Sequence, residues 1–559
     1  MRLRVAYLLL ALAVACAEKP EDKPGVETIP GVPQNVKLHA ATETSLTFQW
    51  SAVDGATGYG WKLSLDGAEI SGVVSSRNVV VENLRPGTTY GFCVCAKGAA
   101  GFSDYSAVIE AKTEGTPPDP SALKVCSDAP VVLEFDSTPV LGTSGTIRVF
   151  RDNGTKVDEI DLADISKVNV LDDGTMVPKE QIVGEGVSHT FMDVISCGGK
   201  TRKIHYTPLR IQGKKLLVKL HSGVLEHGYN YYVTMDAGVV TGFPGIKEGE
   251  LQFTTKDAPA SDKALRVSAD GTGDFCTVQG ALSYANKTGC EITVASGTYR
   301  EMLYLRDKAS IAIKGDSRDG TVIAYPNSEV YANGSSARCL FVVENCENLA
   351  LKDLTIENTF YASDHKGQAE TIYFNSGSNA HKLTIEGCKL VSWQDTFLTK
   401  GEVWVYKTII AGHCDFIWGY PKACLFEECE LRVRAAGYIV QARVPGESYP
   451  GFVFLNCNIV KDGNVSDGSV YLARSGGDTS VYDNVVYVNC TMDSIIAPEG
   501  WHTGKAPTPS TPTATSGWRE YGSVKPDGSS ASGSRNAYGK VLTAAEAEPY
   551  SSRQAVLGW

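Results

Sequence analysis

Short strand-like segments recur through the second half of the chain with one internal pattern. "LTIENTF" (Leu354 to Phe360), "LTIEGCKL" (Leu383 to Leu390), "VWVYKTII", "CLFEECEL", "FVFLNCNI" and "VVYVNCTM" alternate apolar and polar residues. Each places a small residue at one register position: Thr359, Cys388, Thr408, Cys429, Cys457 and Cys490. A strand recurring roughly every 20 to 30 residues, with loops of variable length, is the signature of a parallel β-solenoid. The same alignment accounts for the cysteines. Small buried side chains at one register stack along the axis, and a free thiol packs as a small hydrophobe. Cysteines on neighbouring rungs project in parallel, which suits disulfide geometry poorly. No paired C-x-x-C motif or histidine cluster suggests a metal site.

Upstream, the texture differs. Residues 30–113 read as a small β-sandwich with Trp50 in its core, and "LRPGTTY" (Leu84 to Tyr90) looks like a tyrosine corner. Residues 117–256 read as a second, immunoglobulin-like sandwich, ended by the linker "KDAPASDKA". The expected fold class is therefore all-β: a parallel β-helix over 264–559, preceded by two β-sandwich domains. Residues 1–16 combine "MRLR", a short apolar run and "AVAC", too short to span a bilayer as a mature helix. This is the expected signal of a bacterial lipoprotein acylated on Cys16, with residues 17–29 as a polar, proline-rich tether. The expected location is the outer membrane or cell surface of a Gram-negative cell, with the periplasmic face as the alternative. A net charge of −12 argues against nucleic acid as the main partner.

The repeat also points to chemistry. Asp395 lies seven residues after Cys388, and Asp415 lies seven residues after Thr408. Equivalent positions on consecutive rungs would put the two carboxylates on the order of 5 Å apart. Such a pair does not ionise twice with ease, so one member keeps its proton while the other serves as base or nucleophile. Gln394 and Gln368 offer uncharged amide donors of the kind an oxyanion needs. Arg474 follows a later strand and could hold one aspartate ionised. Paired aspartates also cap solenoid turns, so the pair alone is equally consistent with a structural role.

The ordered motifs carry a resemblance. "VSADGTGDFCTVQGAL", "ASGTYRE", "GQAET", "WQDTFL", "DFIWG", "LARSG" and "PEGW" follow one another from about Ala264 to the end. Together they resemble the pectin methylesterase (pectinesterase) family, whose fold is a right-handed parallel β-helix. The resemblance implies hydrolysis of the methyl esters of pectin, releasing methanol. It implies Asp415 as nucleophile, Asp395 as general acid and then base, Gln394 and Gln368 as oxyanion donors, and Arg474 as the residue orienting Asp415. It implies no metal and no cofactor, and a monomer is expected. Trp418, where the family has phenylalanine, is a candidate sugar-binding wall or a core aromatic, and Trp393 is a further substrate-binding candidate.

One departure stands out. The family carries a tryptophan two residues after the arginine, and here that position is Gly476. Trp393, Trp501 or Trp518 could stand in for it, and "GKAPTPSTPTATSG" (504–517) reads as a mobile loop. The lost ring leaves room for a different ester, so an acyl thioesterase on the same fold is the alternative enzyme. A pectate lyase fits the aspartate blocks poorly. A non-catalytic pectin-binding lipoprotein is the non-enzymatic alternative.

Overall fold

The structure is a computed structural model and describes residues 29–65, 68–82, 84, 87–115, 124–182, 189–360 and 367–559. Cys16, the signal segment and almost all of the tether lie outside the described residues. The first domain pairs Lys37–Ala41, Ser45–Gln49 and Asn78–Glu82 in one sheet. A second sheet is built on Gly58–Leu65 and Thr89–Gly98. Inward residues of both sheets close one core, in which Phe48 and Phe92 stack across the gap with ring centroids 3.8 Å apart. Trp50 and Tyr90 are buried in it, as the sequence suggested.

The second domain has a four-stranded sheet centred on Thr146–Arg151 and Asn230–Met235. A three-stranded sheet of Leu209–Gln212, Lys215–Val218 and Val131–Glu134 faces it across a common core. The hairpin Met192–Cys197/Lys200–His205 joins neither sheet. It lays Ile195, Cys197 and Ile204 into the core of the β-helix instead. From the same hairpin, Arg202 donates to the carbonyls of Leu303 (2.8 Å), Leu340 (3.1 Å) and Cys339. Buried carbonyls at the ends of strands need donors, and the arginine supplies several at once. Asp128 likewise accepts from the backbone N–H groups of Cys276 and Thr277, each at 2.8 Å. The second domain is thus docked onto the first coils of the helix rather than strung from it.

From Ala264 onward the chain winds as a right-handed parallel β-helix. One face runs from Ala264–Val267 through Cys290–Val294, Ser310–Gly315, Asn348–Lys352 and Lys382–Glu386. The second contains Leu303–Arg306, Phe341–Glu344, Ile372–Asn375, Gly437–Ala442 and Val470–Ala473. The third has eight strands from Gly297–Tyr299 to Thr491–Met492. Two long strands, Phe397–Tyr406 and Ile417–Glu427, cross from the second face to the first without a break. In-register parallel pairing stacks like on like: Phe426, Phe454 and Tyr487 form a column with centroids 4.7 and 4.5 Å apart, close to the rung spacing.

Between the first and third faces a single left-handed residue turns the chain. Gly387, Lys407, Glu428, Asn456 and Asn489 all have φ between 47° and 62°. The residue after each is the stacked Cys388, Thr408, Cys429, Cys457 or Cys490, all buried, and all the cysteines among the described residues are free. Thr359 is a correction. The left-handed residue one rung earlier is Asp353, so Leu354 occupies the stack. The "LTIE" shared by two rungs invited a slip, because the first copy lies on the third face and the second on the first.

Candidate active site

A second left-handed turn repeats on two consecutive rungs. Asp395 (φ 66°) and Asp415 (φ 47°) each stand two residues before a long strand, and Phe397 pairs with Ile417. Asp395 N–H donates to the Cys414 carbonyl at 3.1 Å, which locks the two turns side by side. Aspartate tolerates this conformation better than most residues, so the turn itself favours this residue type. Both side chains are buried, at 2% and 4% exposure, and neither is left unpaired.

Their partners differ. Arg474, from the end of Val470–Ala473, presents Nε to Asp415 Oδ1 at 2.7 Å and to Oδ2 at 2.9 Å, and its Nη2 also contacts Oδ2. Gln441 adds Nε2 to Oδ2 at 3.3 Å. Its carbonyl end accepts from Arg443 at 2.7 Å, so the amide has only one sensible orientation. Tyr438 lies under the Arg474 guanidinium at 5.0 Å.

Asp395 is served by Gln368, whose Nε2 donates to Oδ2 at 2.7 Å, and by Arg338 Nη2 at 3.3 Å. Arg338 spends more of its fork on Glu370, at 2.8 to 3.1 Å. Burial raises the Asp395 carboxyl well above the ordinary range, and the charges of Glu370 and Asp415 raise it further. Arg338 and a hydrogen bond from Gln394 act the other way without reversing it. Asp395, Asp415 and Glu370 therefore face Arg338 and Arg474, and these five side chains sum to neutral when Asp395 carries a proton; Glu329, more exposed, lies 3.9 Å from Arg338 Nη1. One aspartate is ion-paired and its neighbour's carboxyl is raised, the contrast on which a two-carboxyl acid–base site relies.

The structure brings Asp395, Asp415, Gln368, Gln394 and Arg474 together. Trp418 is buried in the core of the β-helix, with the Arg443 guanidinium over its ring at 5.2 Å. Trp393 is half-buried, stacked on His413 at 5.3 Å and covered by Arg434. Trp501 and Trp518 are fully buried, stacked 5.5 Å apart in the core, and do not replace the missing ring. A Cβ at Gly476 would meet only the Gln441 amide, at 3.9 Å. The aromatic surface at this end comes from Tyr438, Tyr471 and His502, packed with centroids 4.7 to 6.0 Å apart. The 504–517 loop is pinned rather than loose: Asp483 N–H donates to the Thr508 carbonyl at 2.7 Å, and Thr508 N–H returns a bond to its carboxylate at 2.8 Å.

The family model described as pectinesterase matches residues 264–558, more than half of the chain. The chain belongs to the pectinesterase family. A fibronectin type III model matches residues 31–112. "Pectinesterase 31" of Arabidopsis thaliana is 32% identical over 259 residues, covering 44% of this chain and 78% of the relative. "Pectinesterase QRT1" of the same plant is 28% identical over 341 residues, covering 56% and 83%. The solved pectin methylesterase from Aspergillus niger aligns over 54% of this chain and 95% of its own at 25% identity, with a TM-score of 0.44.

Membership of the pectinesterase family makes Glu370 a sharp probe of the acid. Glu370→Gln removes a charge that raises the Asp395 carboxyl and frees Arg338 to lower it. If Asp395 must be protonated to expel the alcohol, the high-pH limb of kcat is expected to move to lower pH. The check is a pH–rate profile of wild type and variant; coincident high-pH limbs would remove Asp395 from the acid role.

Proposed function

We propose that this enzyme demethylates the methyl-esterified galacturonan of pectin through an aspartyl ester mechanism. The observation that carries the reading is the pair of aspartates on consecutive rungs, one ion-paired to Arg474 and one raised as an acid, within a pectinesterase-family chain. Asp415 attacks the ester carbonyl carbon, forming a carbon–oxygen bond and an oxyanion. Gln368, Gln394 and Gln441 surround the pair with amide N–H groups. Gln368 and Gln441 each spend one of two on an aspartate, leaving the second for the oxyanion. As the oxyanion collapses, Asp395 gives its proton to the departing methoxy oxygen and methanol leaves. Asp395, now a carboxylate, takes a proton from water that attacks the acyl carbon. The bond to Asp415 breaks and releases its carboxylate, Asp395 is left protonated as it began, and the new sugar carboxyl gives its proton to solvent to become a carboxylate. The test is methanol release from methylated pectin, with acyl-CoA thioesters as the competing substrate. Hydrolysis of the thioester without methanol from any pectin would overturn the reading.

The export route is a second proposal, supported by residues 1–29 alone. Cys16, acylated, tethers the chain to a membrane with the immunoglobulin-like and fibronectin domains as spacers. Cys16→Ala is expected to move the protein from the membrane to the soluble fraction; retention at the membrane would discard the anchor.

A further inference from the structure

We infer that Lys505 is a specificity-determining residue: its ammonium, held on the Gly476 carbonyl two residues beyond Arg474, receives a free uronate carboxylate beside the ester being cleaved. The inference rests on the substrate proposed above and adds which neighbour of the scissile unit is preferred. It begins at the glycine pair Gly476–Gly477. Gly477 has φ 76°, a conformation that disfavours side chains, and a Cβ there would lie 2.8 Å from Lys505 Cδ. The lysine stem thus lies directly on the glycine. Its Nζ donates to the Gly476 carbonyl at 2.9 Å. An ammonium has three N–H groups, so two remain for a ligand, and the residue is exposed.

The placement is built, not incidental. Asp483 accepts from Ser475 Oγ at 2.9 Å and from Thr508 N–H at 2.8 Å. Ser475 lies between Arg474 and Gly476, and Thr508 lies three residues beyond Lys505, so one buried carboxyl fastens both sides. The Gly476 position abuts the Gln441 amide, which in turn contacts Asp415. The carbonyl that holds the ammonium thus belongs to the segment that follows Arg474, whose guanidinium grips Asp415. Arg443 adds a second cation, held by Tyr420 Oη at 2.8 Å and Gln441 Oε1 at 2.7 Å. The nearby Asp478 turns its Oδ1 to Ser480, with contacts of 2.9 and 2.6 Å. An aromatic platform accepts esterified and free sugar units alike, whereas a lysine favours the charged one. Each turnover leaves a carboxylate on the polymer, so the product of one event becomes the recognition element of the next.

The experiment compares kcat/KM on fully methylated and on partially de-esterified galacturonan, at low and high salt. Wild type is expected to prefer the partially de-esterified polymer. Lys505→Met should cut that preference about threefold to fivefold, the scale of one partly exposed ion pair. The change should appear in KM, fade at high salt, and be restored by Lys505→Arg. Methanol release from the fully methylated polymer should stay at the wild-type rate. An unchanged preference in Lys505→Met, or an equal loss on both polymers, would overturn the assignment. If wild type released no methanol from either polymer, the substrate proposal would fall instead. Titration with methyl-free trigalacturonate would then decide the matter for Lys505: weaker binding by Lys505→Met upholds its role, and equal binding ends it.

Discussion

Asp415→Asn is expected to lower methanol release from methylated pectin by about 10⁴-fold or more, the scale seen when a nucleophile is removed from a working catalytic set. The substitution keeps the volume and one acceptor oxygen, so Arg474 and Gln441 retain a partner. Arg474 is one-third exposed and can be hydrated when its ion pair is lost, so the stability change should be only about 1 kcal/mol. The melting temperature is measured alongside the rate. Loss of rate with a preserved fold separates a chemical role from a structural one, which the sequence left evenly balanced. Asp395→Asn supplies the contrast. It removes the proposed proton donor and leaves Asp415 with its arginine. An ester of a more acidic alcohol, whose oxygen departs without a proton, should recover part of the lost acylation rate in Asp395→Asn and none in Asp415→Asn. Equal losses on both esters in both variants would contradict the division of roles.

The rung count made this pair legible because periodicity carries position from one coil to the next. Asp395 and Asp415 are copies of one turn, and their spacing from Cys388 and Thr408 is the same, so the sequence suffices to place them together. Gln441 belongs to the same grid, as the strand partner of Trp418, and could have been found by extending the alignment one rung further. Arg338 could not. It comes from the short helix Ser335–Arg338, inside a loop between rungs, and loop length is what a solenoid repeat leaves free. Glu370 stood in the quoted "GQAET", but a fully buried acid there has meaning only with its arginine 32 residues away. The docking of the second domain was hidden for a similar reason. The alternation in Met192–Cys197 marks a strand but not the surface its apolar face will meet.

Arg338→Met is expected to be the most damaging change for folding. Glu370 is fully buried and Asp395 nearly so, and Arg338 is the cation both touch. Methionine fills most of the volume but leaves two carboxyls facing each other in a dry site. Breaking a buried pair by removing one partner costs about 3–5 kcal/mol, enough to threaten an ordinary domain. The pH dependence gives the test its sign. Both carboxyls already sit above their ordinary range, Glu370 and Asp395 alike through burial first. A carboxyl raised in the folded state binds its proton more tightly there than in the unfolded chain. Stability therefore falls as pH climbs from the ordinary carboxylate range through the raised value. Without Arg338 both would rise further, so the deficit of the variant should be smallest near pH 4, where the unfolded chain is also partly protonated, and largest near pH 8. Chemical denaturation of wild type and variant across that range measures it. A deficit independent of pH would mean that Arg338 acts through packing alone, and the neutral count of two cations against two ionised carboxyls and one acid would have to be redrawn. If the deficit grows with pH as expected, the protons on Glu370 and Asp395 are part of what holds the coil together, and the proposed acid is kept protonated by the same burial that makes Arg338 indispensable.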